Sequence, residues 1–172
     1  SDPWDVTNGL LVTELITGQM QTGDDQHEPR NPAEILVAGD PSSTNVPTYA
    51  ALASLMDDAP HDLGSIIATT VAHDGAVGKA PQLSAYGVTA AHLVIQTGHT
   101  VASPFWEFIN ATGPVYEDGQ IVNDLLFLDP YYARGFPVTE AHWTRAVVNG
   151  TETDVLIQAF QRRVLTFTPS NP

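Results

Sequence analysis

Three short runs near the C-terminus constrain the fold of this chain more than any other feature. His142–Val148 reads HWTRAVV, Asp154–Phe160 reads DVLIQAF, and Arg163–Thr168 reads RVLTFT. Each is the length of a strand and rich in β-branched or aromatic residues. Asn149-Gly150 stands after the first run, and that dipeptide is the strongest short-range hairpin signal. The pattern predicts an antiparallel meander over 142–168. Period-2 alternation puts Trp143, Arg145 and Val147 on one face, and Thr144, Ala146 and Val148 on the other. In this frame Arg162 and Arg163 straddle the second turn, point to opposite faces, and neutralise acids such as Glu152 or Asp154.

Upstream, the signals are mixed. Helices are predicted at 7–18, 48–57 and 104–111. Thr7 or Asn8 caps the first and Gly18 ends it. Thr48 caps the second, and Ser103-Pro104 opens the third. Short strands are predicted at 35–38, 65–72 and 87–96, with His73-Asp74-Gly75 as a turn. A tight hairpin pairs 115–116 with 120–122 across Glu117-Asp118-Gly119. The polar stretch 21–32 reads as a loop, and 125–128 is apolar and ambiguous. The expected class is α+β, β-rich with antiparallel hairpins or a meander and two or three short helices. The chain of 172 residues fits a single domain, 1–172, with a sub-boundary near 98–103.

Charge narrows the function classes. Six Lys and Arg face twenty Asp and Glu, for a net charge of −14, which argues against phosphate backbones and anionic membranes. Charged residues make up only 15% of the chain, well below the ~25% usual for soluble domains. A surface built from Thr, Ser, Asn and Gln is the consequence. There is no Cys, so thiol chemistry is excluded. No apolar run reaches the ~18–20 residues of a membrane span. The opening SDPWDVTNG has no basic n-region and reads as a cut end.

The segments GFPVTEAHW (Gly135–Trp143) and DVLIQAFQRRVLTFTP (Asp154–Pro169), with VTNGLLVTELITGQMQ and PAEILVAGDP upstream, resemble a family of uncharacterised secreted or cell-surface proteins of Chloroflexus-type bacteria. The resemblance implies an extracellular or cell-surface location and carries no reaction with it. It also implies that positions 159 and 164 act as a pair, because relatives usually have Cys where Ala159 and Val164 stand. Relatives usually have Glu in place of Gln161. The family places a segment like SDPWDVTNG after a hairpin like the terminal one. That order implies a head-to-tail contact between Trp4–Leu11 and Asp154–Pro169, within a chain or between copies.

Chemistry-bearing residues are scattered. Asp24, Asp25, His27 and Glu28 crowd one loop, in a spacing that fits neither an EF-hand nor a helical metalloprotease motif. His61, His73, His92 and His99 lack the close pairs usual for zinc. Glu107, Glu117 and Glu140 are unremarkable carboxylates. No nucleophile elbow or phosphate loop occurs. Asn110 and Asn149 head glycosylation sequons, and Asn149-Gly150 is better explained by turn chemistry. Rings beside guanidinium groups are the one suggestive pattern: Tyr131, Tyr132 and Arg134, Trp143 and Arg145, and Arg162. Such surfaces stack on sugars or receive partner residues. The expected function is a non-enzymatic extracellular or cell-surface module for structure or adhesion, associating head to tail or binding carbohydrate. The alternative is a secreted hydrolase built from dispersed carboxylates and histidines. No catalytic residue, metal or cofactor is assigned.

Overall fold

The structure is a computed structural model, and it describes residues 9–117, 119–126, 131 and 133–170. In chain order the elements are α1 (Leu11–Thr17), β1 (Gln19–Gln21), β2 (His27–Pro29), β3 (Thr69–Val71), β4 (Val77–Lys79), β5 (Ala90–Val94), β6 (His99–Ala102), α2 (Ser103–Ile109), β7 (Thr112–Glu117), β8 (Gln120–Leu125), β9 (His142–Val148), β10 (Thr151–Ala159) and β11 (Val164–Phe167). Two 3₁₀ turns add Ala50–Leu55 and Pro81–Tyr86.

The predicted meander forms the heart of the molecule. β9, β10 and β11 pair antiparallel, and β9 also pairs parallel with β3, giving the five-stranded order β11-β10-β9-β3-β4. Three further hairpins, β1–β2, β5–β6 and β7–β8, stand outside this sheet. The β-rich class with antiparallel hairpins and short helices is therefore what the chain adopts.

The sheet is covered on both faces. Along β10, Leu156 and Phe160 enter one core with Trp143, Val101 and Phe105. Val155, Ile157 and Ala159 enter a second core with Val12, Ile16, Leu52 and Ala146. β5–β6, α2 and the 81–86 turn close the first face; α1 and the 50–55 turn close the second. A central strand buried on both sides reads as a continuous apolar run, as VLI does here. Residues from both sides of 98–103 share the first core.

Several expectations shift. α1 starts at Leu11, while Thr7 and Asn8 lie outside the described residues. Among the described residues no side chain caps it; Val12 and Thr13 N–H donate to Gln161 O at 3.1 and 3.2 Å. The unpaired donors of a helix start are thus satisfied by the turn between β10 and β11. The second helix tightens to 3₁₀, with Thr48 Oγ1 accepting from Ala51 N as predicted. Stretch 21–32 holds the β1–β2 hairpin rather than only loop, and 35–38 keeps a single bridge, Leu36 to Thr48.

Of the Trp4–Leu11 segment only 9–11 are among the described residues; just after it, Val12 and Thr13 N–H meet Gln161 O of the same chain. In the terminal hairpin Leu156 and Phe160 are fully buried. Trp4 lies outside the described residues. The two arginines do not pair with Glu152 or Asp154. Arg162 Nη1 and Arg163 Nε donate to the carbonyls of Tyr131 and Ala133, both at 3.3 Å, and fasten that loop to the turn. Arg145 holds the two carboxylates instead. Ala159 and Val164 stand directly opposite in the β10–β11 register.

Candidate functional site

The aromatic–arginine residues fall into two separate places. Tyr131 packs on Phe136 with ring centroids 4.8 Å apart, beside buried Arg134 and beside Arg162. Tyr132 lies outside the described residues. Trp143 and Arg145 belong to the other place, on β9. Trp143 is 1% exposed, and its indole N–H donates to Ile67 O at 2.9 Å. The ring is therefore core and offers no stacking face to a ligand; that expectation is corrected by the cover of β5–β6, α2 and the 81–86 turn.

Alternation along β9 leaves Arg145 at the surface above that core. Its Nη1 donates to Asp154 Oδ1 and its Nη2 to Glu152 Oε2, both at 3.0 Å. Asp154 also accepts the Tyr86 hydroxyl at 3.0 Å, and the Tyr86 ring tilts over Trp143 with centroids 5.0 Å apart. The two carboxylates hold the Arg145 guanidinium above its ordinary value, Glu152 most strongly, so the cation is permanent. The bond to Asp154 raises the Tyr86 phenol and keeps it neutral. An open groove of about 220 Å³ runs here, with Trp143 at its floor and Asn45, Gln82, Thr144, Arg145 and Asp154 on its walls.

At the other end of β9 lies a buried polar seam that sequence reasoning did not single out. Glu140 is 1% exposed. Its carboxylate accepts from Thr100 N at 2.8 Å, His99 Nδ1 at 3.1 Å, His61 N at 3.1 Å and the Thr100 hydroxyl. His99 Nε2 turns to Met56 O at 3.1 Å, so both ring nitrogens face acceptors. On β10 the buried amide of Gln158 accepts from Ala102 N and donates to Thr100 O and Thr139 O. β6 thus has its outer edge paired by side chains where a neighbouring strand would otherwise supply backbone groups.

The electrostatics follow from this packing. Burial pushes the Glu140 carboxyl up, but the hydrogen bonds from His99, Thr100 and His61 outweigh it and hold the group below its usual value. His142 is buried 5.7 Å, centroid to centroid, from the His61 ring. Burial, then the nearby His61, lower it from 6.5 to about 4, against a smaller opposing pull from Glu140. Its Nδ1 shares a hydrogen with Thr69 Oγ1 at 2.9 Å. At neutral pH it is an uncharged ring.

Four donors occupy Glu140, which leaves no lone pair aimed at a substrate. Glu140 does not line the groove above Trp143, which is open to solvent. Among the described residues, no group of three or more His, Asp or Glu could hold a metal ion. Asp24, Asp25, His27 and Glu28 are exposed, and Glu28 pairs with Arg30 at 2.9 Å. A larger apolar groove of about 510 Å³ lies between α2 and β11. Among the described residues no helix is long and apolar enough to cross a membrane. The chain matches no family model, and no curated protein and no solved structure matches it.

Proposed function

We propose that the protein is a non-enzymatic extracellular or cell-surface module that binds a neutral, hydroxyl-rich ligand of the carbohydrate class in the groove above Trp143. The observation that carries this reading is the Arg145 fork. Two of its N–H groups are spent on Glu152 and Asp154, which fixes the guanidinium plane and leaves its other donors for a ligand. Gln82 and Asn45 add side chains that both donate and accept. A set mixing donors and acceptors suits hydroxyl groups. A net charge of −14 disfavours an anionic ligand. The resemblance of Gly135–Trp143 and Asp154–Pro169 to secreted and surface proteins supports the compartment.

The hydrolase alternative needs a carboxyl able to give or take a proton. Glu152 and Asp154 are both committed to one guanidinium, and Glu140 is enclosed. Because α1 already meets the terminal turn of its own chain, the proposal takes the protein as a single-chain module. The test is calorimetry with a panel of neutral oligosaccharides, on wild type and Arg145→Ala. Binding by wild type and its loss in the variant are expected. No binding across the panel, or equal binding by the variant, sinks the reading.

A further inference from the structure

The turn between β9 and β10 carries a chemical liability and a guard against it. Val148 and Thr151 are paired, so Asn149-Gly150 is a two-residue loop. Asn149 has φ 52° and Gly150 φ 76°, the left-handed pair that a type I′ turn demands. Both residues are exposed. In a free chain, an Asn-Gly step is prone to attack by the glycine nitrogen on the asparagine side-chain carbonyl, because glycine offers no Cβ to obstruct it. Here that nitrogen is occupied: Gly150 N–H donates to Asp40 Oδ2 at 2.9 Å.

Asp40 is held in place by a tight loop. Its N–H donates to Val147 O at 2.7 Å, and its carbonyl accepts from Ser43 N at 2.9 Å. Ser43 Oγ in turn accepts from Val147 N at 2.9 Å. Gly39, at φ 74°, lets the loop lie against β9: a Cβ there would stand 2.7 Å from Ser43 Oγ and 3.0 Å from Ala146 Cβ. The loop therefore presents one carboxylate to one backbone nitrogen, across 110 residues of chain.

We propose that Asn149 is a deamidation site and that Asp40 holds it in check. In the reaction the Gly150 nitrogen loses its proton and forms a bond to Asn149 Cγ. The Cγ–Nδ2 bond breaks and ammonia leaves with the proton. Water then opens the five-membered ring to Asp or to isoaspartate, with one added negative charge. Asp40 opposes the first step twice. It holds the N–H turned towards itself, and its negative charge disfavours an amide anion beside it. A carboxylate is too weak a base to take the amide proton itself. Isoaspartate would lengthen the backbone of the turn that sets the register of Arg145 against Asp154, so the guard protects the central hairpin.

The test is incubation of folded wild type, Asp40→Ala and Asp40→Asn at mildly alkaline pH, with peptide mapping for aspartate and isoaspartate at position 149. An unfolded peptide of the same sequence is the reference. Wild type should react more slowly than the peptide. Asp40→Ala should react faster than wild type by on the order of tenfold, the scale of one lost hydrogen bond to a charged group. Asp40→Asn keeps an acceptor of the same shape without the charge and should fall between; it decides the matter if the alanine variant does not fold. Equal rates in wild type and both variants overturn the proposal. So does slower reaction without Asp40, which would make the carboxylate a helper rather than a guard.

Discussion

The two ends of β9 hold similar residues in opposite circumstances. At Glu140–His142 a carboxylate and the His99 and His142 rings are enclosed; four donors of the chain meet the carboxylate, and of these groups only Nε2 of His142 is left without a partner among the described residues. At Arg145, a guanidinium and two carboxylates meet in solvent, with donors to spare. A strand turns a polar side chain inward only where other elements supply its partners, because an unpaired buried charge is costly. Chemical type alone therefore does not mark a site; what remains unspent after folding does.

Trp143 separates the two regions, and its removal should have the largest effect. Trp143→Ala should destabilise by roughly 3–5 kcal/mol, since it removes a buried ring and its bond to Ile67 O. Urea denaturation checks it. A small change would return the ring to the ligand surface and merge the two regions.

Glu140→Gln should come next, at roughly 3 kcal/mol, because it leaves buried donors from His99 and Thr100 facing an amide that answers fewer of them. The same denaturation experiment reads it. A neutral result would show that the seam is not what holds β6 to the sheet.

Acid should act on the seam. His142 binds protons more readily unfolded, near 6.5, than folded, near 4. Stability should therefore fall as pH drops from about 6.5 towards 4, by up to roughly 3 kcal/mol. Glu140, lowered in the fold, adds a further loss as pH falls through the acidic range below its ordinary value. The groups facing His142 are His61 and Glu140. Melting temperatures across this range, compared with His142→Asn, check the sign; an unchanged slope in the variant would assign the effect elsewhere.

The smallest effect on stability belongs to the groove. Arg145 is 47% exposed, and an exposed ion pair contributes less than about 1 kcal/mol. Arg145→Ala should thus melt close to wild type while losing ligand. A large loss of stability would erase the contrast between the two ends of the strand.

The sequence by itself determined the β9–turn–β10 unit, because both of its signals are local. Alternation sets the faces, and Asn149-Gly150 supplies the two left-handed residues that the turn needs. It also determined the end of α1 at Gly18 and the start of α2 at Ser103-Pro104. It placed Arg145 on the same face as Trp143, which is correct, but not that one lies above the core and the other within it. Tertiary structure alone decided that, by laying β5–β6 and the 81–86 turn over one face of the sheet. It also decided the seam. His99 lies 41 residues from Glu140, and His61 lies 79. Nothing in their spacing marks them as partners, because a buried carboxylate is satisfied by whatever donors the folded chain brings within about 3 Å, and that proximity exists only once the layers have packed.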